Sequence, residues 1–338
     1  MNNEVISNEL YDIVIIGGGA AGLSAALYAA RDKSNVLLIE KGFFGGQISI
    51  TSEVENYPGV FETSGAGLID TMRKQAEKFG AKFTVAEVLK IEADPDEIVR
   101  IVHTNKGAIK ALSVIVASGA NPRSAGFENE EQFKGRGISF CATCDGMFYQ
   151  DKEVYVIGGG IAASEEAQFL TKYAKKVTMI VRRGELSAPL TIANETVSNE
   201  KIEIKFNTKL VKVEGEILPE KFYFENTETH DSYVEEHEAG SVGIFVFVGY
   251  TPESDIVKDL VEVDKYGGVI TNEEMETKIK GLYVAGDVRQ KSLRQLVTAA
   301  SDGAIAATNA GKYTNALKRE FSDKFIELMR ETYGAYAE

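Results

Sequence analysis

Two short apolar runs, each closed by a glycine-rich turn and followed by an alanine-rich stretch, dominate what this 338-residue chain can fold into. The first runs from Tyr11 to Ile16, turns through Gly17, Gly19 and Gly22, continues without proline to Ala30, and is followed by Val36 to Ile39. The second runs from Val154 to Ile157, turns through Gly158, Gly160 and Ala163, continues over Ala162 to Lys175, and is followed by Val177 to Val181. Strand, tight turn, helix, strand is the unit that cradles a dinucleotide. The expected class is α/β, with two Rossmann-like nucleotide-binding domains, and the length suffices for two cores. Asn121-Pro122-Arg123 and Tyr250-Thr251-Pro252 bracket the second unit, since a residue before proline is biased away from helix. The expected segments are 1–121, 122–250, 251–316 and a tail over 317–338.

The two turns end in opposite chemistry. Glycines at the first turn let backbone N–H groups approach a pyrophosphate and allow close helix packing. The strand that follows ends in Glu40, which can accept hydrogen bonds from ribose hydroxyls and would repel a phosphate on the same sugar, so this site suits FAD or NAD. The strand after the second turn ends in Arg182-Arg183, a pair that suits the 2′-phosphate of NADPH. The other reading of that pair is two solvated surface charges. Because FAD has no such phosphate, the contrast assigns flavin to the first unit and nicotinamide to the second.

Composition narrows the function. The formal net charge of −14 opposes nucleic-acid binding, and no apolar run approaches the ~20 residues that span a membrane. The stretch from Met1 to Leu10 lacks the basic residues of a signal peptide, which gives the expectation of a cytoplasmic protein. There are only two cysteines, Cys141 and Cys144, and the three histidines His103, His230 and His237 show no ligand spacing, so no metal is expected.

A C-x-x-C pair alone is as readily structural as catalytic. Here it precedes a nicotinamide-type turn in a chain that also has a flavin-type turn, the parts needed to move electrons from hydride to disulfide. A helix starting near Cys141 would favour its thiolate. Asp145 adjoins Cys144, where it could donate a proton to a departing thiolate or cap the helix.

These residues, with Gly45-Gly-Gln47, Glu53-Val-Glu-Asn-Tyr-Pro-Gly59, Gly135-Arg-Gly137, Cys141-Ala-Thr-Cys-Asp-Gly146 and Gly286-Asp287, resemble the low-molecular-weight bacterial thioredoxin reductases over nearly the whole chain. The resemblance implies a homodimer whose NAD(P)H domain is inserted into the FAD domain, with hinges near Pro122 and Pro252. It implies that Gly17, Gly19, Ala20, Ala21, Gly22, Glu40, Lys41, Gly46, Gln47, Asn56, Val88, Ser118, Gly119, Gly286, Asp287, Arg294, Gln295 and Leu296 lie along FAD. Gly158, Gly160, Ala162, Ala163, Arg182 and Arg183 would lie along NADPH. It also implies that Cys144 faces the flavin while Cys141 attacks the disulfide of thioredoxin or a thioredoxin-like protein.

The match departs in two places. The family's His-Arg-Arg and following Arg are here Val181-Arg182-Arg183 and Ser187, and Ile161-Ala162 replaces polar residues in the turn. NADH or reduced ferredoxin therefore stays open as electron donor, and a ferredoxin-dependent flavin thioredoxin reductase is the alternative enzyme. A flavin-bearing redox sensor without turnover is the alternative of another class. The tail, roughly from Lys312, places Leu317, Phe321, Phe325, Met329 and Tyr333 at four-residue spacing, which predicts an amphipathic packing helix, with Tyr333 or Tyr336 as candidates to cover a flavin ring.

Overall fold

The computed structural model describes residues 9–50, 53–94 and 98–321. The chain divides into two compact units, one made of the stretch up to Asn121 and the stretch from Thr251 onward, the other of Pro122–Tyr250.

In the first unit the strand Leu10–Ile16 is buried along its whole length, the pattern of a central parallel strand covered on both faces. It pairs in parallel with Val36–Glu40 on one side and Gly107–Val116 on the other. Lys82–Val85 extends the first side in parallel. The long Gly107–Val116 strand serves two purposes. Its first half closes an antiparallel hairpin with Arg100–Thr104, which in turn pairs with Val88–Glu92, and its second half pairs in parallel with Leu282–Val284. The stretch from Thr251 thus returns, through Leu282–Val284, to the same sheet as the first glycine turn.

The helix Ala20–Arg31 and the helix Leu296–Glu320 pack together because small residues meet: a Cβ on Gly303 would stand 2.0 Å from the Ala21 carbonyl oxygen. The expected tail begins inside this second helix. Residues 312–320 continue the helix begun at Leu296, with Lys318 paired to Asp12 at 2.6 Å, so no separate helix starts there. Phe325, Met329, Tyr333 and Tyr336 lie outside the described residues. Among the described residues, no helix is long and apolar enough to cross a membrane.

The second unit is a five-stranded parallel sheet in the order Ile202–Lys205, Lys176–Ile180, Glu153–Ile157, Val242–Val246, Ile138–Ser139. A three-stranded antiparallel sheet, Thr208–Glu214, Lys221–Asn226 and Ser232–Glu236, accompanies it. The helix after the second glycine turn covers Ile161–Leu170, shorter than the expected reach to Lys175. Bonds from Thr171, Lys172 and Tyr173 back to Gln168, Phe169 and Leu170 tighten the end into a turn, and the Lys175 N–H bonds the Lys152 carbonyl instead.

Candidate functional site

In the first unit the turn after Leu10–Ile16 admits no side chain at two of its glycines. A Cβ on Gly17 would lie 2.3 Å from the Ala117 oxygen, and one on Gly22 would lie 1.8 Å from the Gly17 oxygen; Gly17 also has φ +108°. Gly19 differs, since its Cβ would meet nothing closer than the Gly45 oxygen at 3.8 Å. The helix beginning at Ala20-Ala21 therefore opens into space at Gly19, with its first N–H groups suited to an anion. Glu40 already accepts from the Gly18 N–H at 2.7 Å and the Gly42 N–H at 3.0 Å. Each carboxylate oxygen retains a second lone pair for a hydroxyl donor, while Lys41 beside it is exposed.

The fold brings distant candidates together. Asn56 donates to Gln295 at 3.1 Å across 239 residues of sequence. Gln47, in the 3₁₀ turn Gly46–Ile50, donates to Asn121 at 2.5 Å, and Asn121 and the Ser118 hydroxyl both donate to Glu253, with Gly119 accepting from the Glu253 N–H. Gln295 caps the helix that starts at Leu296. Arg294 donates to the Asp287 carbonyl at 3.2 Å, next to Gly286. Val88 is half-buried and packs on the apolar face of the sheet.

Asp287 is the most telling of these side chains. Its Oδ1 is buried and makes no hydrogen bond, and the nearest cation, the Lys291 ammonium, is 4.0 Å away. Burial holds its carboxyl above the usual range, against the opposing pull of Lys291 and Arg294. An acceptor of that kind awaits a donor, and the ribityl hydroxyls of a flavin nucleotide would supply one. The residues present thus fit FAD.

One group that the sequence did not single out, Asp302, holds this loop. The buried Asp302 carboxylate accepts from the Gly286 N–H at 3.1 Å, Arg289 at 3.1 Å and Lys291 at 2.9 Å. The available signal was an acid in an otherwise alanine-rich helix, which invites a buried partner.

In the second unit Gly158 and Gly160 flank a turn in which a Gly159 Cβ would strike Val181 at 2.7 Å. Ala163 is fully buried against the sheet, while Ile161 and Ala162 are exposed. Ser187 binds the Gly159 carbonyl through its N–H at 2.7 Å and its hydroxyl at 3.1 Å, which fixes the turn. Arg182 and Arg183 are exposed and have no carboxylate within ion-pair distance among the described residues. Their backbone carbonyls are pinned by the Thr227 hydroxyl and the Asn207 N–H, both at 3.0 Å. Two guanidinium groups at a fixed strand end, with no anion of their own, fit a phosphate.

Cys141 and Cys144 form a disulfide with Cα atoms 5.3 Å apart. Cys141 caps the short helix Ala142–Asp145, and the Cys144 N–H points at the Cys141 sulfur at 3.2 Å, an interaction that would favour a thiolate on Cys141 once the bond is opened. Both residues are half-buried. The sequence left two roles for Asp145, and its side chain caps no helix N–H: Oδ2 accepts instead from the Ser139 hydroxyl at 2.5 Å. Burial raises the Asp145 carboxyl above its ordinary value, and the Ser139 bond opposes that rise. Tyr149 close by is pushed up to about 12 by burial and by the Asp145 charge, so it stays a neutral phenol at working pH.

Two Rossmann-like units, one holding a C-x-x-C disulfide beside a half-buried carboxyl group, have the parts of a nucleotide-dependent disulfide oxidoreductase. The family model described as pyridine nucleotide-disulphide oxidoreductase matches residues 11–303. A thioredoxin reductase of Peptoclostridium litorale is 47% identical over 92% of this chain and 99% of its own length. Another, of Peptoclostridium acidaminophilum, is 46% identical over 91% of this chain and 98% of its own. The crystal structure of thioredoxin reductase from Streptococcus pyogenes MGAS5005 matches with a TM-score of 0.85 at 40% identity, covering 92% of this chain and 100% of that one. The chain belongs to the pyridine nucleotide-disulphide oxidoreductases, and within them to the thioredoxin reductases.

Proposed function

We propose that this enzyme passes electrons from NADPH through FAD to the Cys141–Cys144 disulfide, and from there to thioredoxin or a thioredoxin-like protein, as a homodimer in the cytoplasm. The reading rests on one observation above all. The disulfide lies in the same unit as a nucleotide turn whose second strand ends in two exposed guanidinium groups with no ion pair among the described residues.

Glycine turn, Glu40, Asn56, Asp287 and Gln295 of the first unit would hold FAD, and Arg182 with Arg183 would hold the 2′-phosphate of NADPH. When bound, these two nucleotides supply the electron pair that opens the disulfide. The remaining steps belong to the protein. The Cys141 thiolate, stabilised by the Cys144 N–H, attacks one sulfur of the partner's disulfide, and the other sulfur leaves as a thiolate that takes the Asp145 proton. The Cys144 thiolate then attacks Cys141 in the mixed disulfide. That step re-forms Cys141–Cys144 and releases the second thiolate, so the partner gains two electrons and, with a proton from solvent, two protons.

An anaerobic titration tests the donor. NADPH should bleach the flavin absorbance of the purified enzyme rapidly, and NADH more slowly. Rapid bleaching by reduced ferredoxin with no response to NADPH would replace this reading with the ferredoxin-dependent one.

A further inference from the structure

Ser139 stands at the end of a two-residue strand, buried, and its position is set by parallel pairing with Ile244 and Phe245, more than a hundred residues later. Its hydroxyl meets three groups of the redox motif. It donates to Asp145 Oδ2 at 2.5 Å, accepts from the Cys141 N–H at 3.1 Å, and has the Cys141 carbonyl 3.3 Å away as a second acceptor.

We infer that Ser139 is a positioning residue that holds the Asp145 carboxyl group in line for proton delivery in both of its protonation states. This deepens the proposed thioredoxin reductase reading and rests on it. A hydroxyl rotor suits the task because it can reverse. With Asp145 ionised, the Ser139 proton points at Oδ2. With Asp145 protonated, the carboxyl donates to the Ser139 oxygen and the serine proton turns to the Cys141 carbonyl. A backbone N–H in the same place could donate to the carboxyl group but could not accept its proton. The carboxyl group therefore stays on one partner while its proton moves to a leaving thiolate, and it needs no new contact before it is reprotonated.

The bond to the ionised form is the stronger of the two, because a charged acceptor shortens and strengthens a hydrogen bond. Ser139 thus draws the Asp145 titration downward against burial, in agreement with the direction of its contribution. The other titratable groups around Asp145 are Cys141 and Cys144 once reduced, Tyr149 in the following turn, and Tyr173 just past the helix Ile161–Leu170, which lies against Gly146 with Leu170 and Phe169. Among the described residues, only Ser139 gives Asp145 a side-chain hydrogen bond.

Infrared titration of the flavin-loaded enzyme tests the inference without donor or partner. The protonated Asp145 carbonyl band is identified by its loss in Asp145→Asn. In Ser139→Ala the midpoint of that band should move upward, and disulfide turnover should fall roughly tenfold as the carboxyl group drifts. Ser139→Thr keeps the hydroxyl and should titrate as the parent does; Ser139→Gly replaces the alanine variant if that one fails to accumulate. An unchanged midpoint in the folded alanine or glycine variant overturns the inference, as does a threonine variant that shifts like alanine. A shifted midpoint in an enzyme that cannot reduce thioredoxin would overturn the proposed function and leave the role of Ser139 standing.

Discussion

Removing the two guanidinium groups of the second unit should change cofactor preference and nothing else. In Arg182→Ala/Arg183→Ala the backbone stays in place, because Thr227 and Asn207 hold the two carbonyls rather than the side chains. Both side chains are exposed and form no ion pair among the described residues, so stability should stay within about 0.5 kcal/mol of the parent. A hydrogen bond to a charged group is worth ~1.5–3 kcal/mol, and the exposed setting favours the low end. Two such bonds to a 2′-phosphate then amount to roughly 3 kcal/mol, which is about a hundredfold in affinity. Steady-state kinetics with each nucleotide measures this directly. The KM for NADPH should rise by about that factor while kcat and the KM for NADH hold steady. Glu40 supplies the contrast, an acid at the strand end of the first unit that no 2′-phosphate would approach. Equal changes for NADPH and NADH, or none for either, would show that Arg182 and Arg183 are surface charges only, and a falling melting temperature would show that they are structural.

The cysteine roles separate by substitution. Cys144→Ser should lose electron transfer from the reduced flavin, whereas Cys141→Ser should keep the long-wavelength flavin–thiolate absorbance; the opposite pattern would exchange the two assignments. Asp145→Asn should slow disulfide turnover by about 10²-fold while flavin bleaching by the donor stays near normal, and unchanged turnover would remove the proton-donor role. The same variant has a signature in stability. The Asp145 carboxyl titrates above its unfolded value, so the native state binds the proton more tightly and loses stability as pH rises through that window. Denaturant unfolding should show Asp145→Asn gaining on the parent above the window and the gap closing below it; a gap that widens in acid would reverse the sign.

Which features the sequence disclosed follows from the kind of constraint each obeys. The glycine turns were legible because backbone sterics act within a few residues: a side chain at Gly22 would strike the Gly17 oxygen whatever the rest of the chain did. The contrast of Glu40 with Arg182-Arg183 was legible for the same reason, since each stands at a strand end counted from its own turn. The end of the Ile161–Leu170 helix was misplaced because nothing in Thr171-Lys172-Tyr173 forbids helix; the tightening comes from the pull of Lys175 toward Lys152. The apolar spacing from Leu317 begins in the last turns of the helix Leu296–Glu320, because a four-residue spacing looks alike in a new helix and at the end of an old one. Ser139 and Asp302 were invisible for a stronger reason. A serine two residues before a cysteine has no preferred partner until strand pairing with 244–245 fixes its direction, and Asp302 finds Gly286, Arg289 and Lys291 only when its helix lies against the sheet. Local sequence thus puts forward the candidate groups, whereas the groups that hold them in place are chosen by tertiary pairing. That division explains why Asp145 keeps two roles in the sequence: the hydroxyl that engages its carboxyl group comes from a strand whose partner lies a hundred residues away.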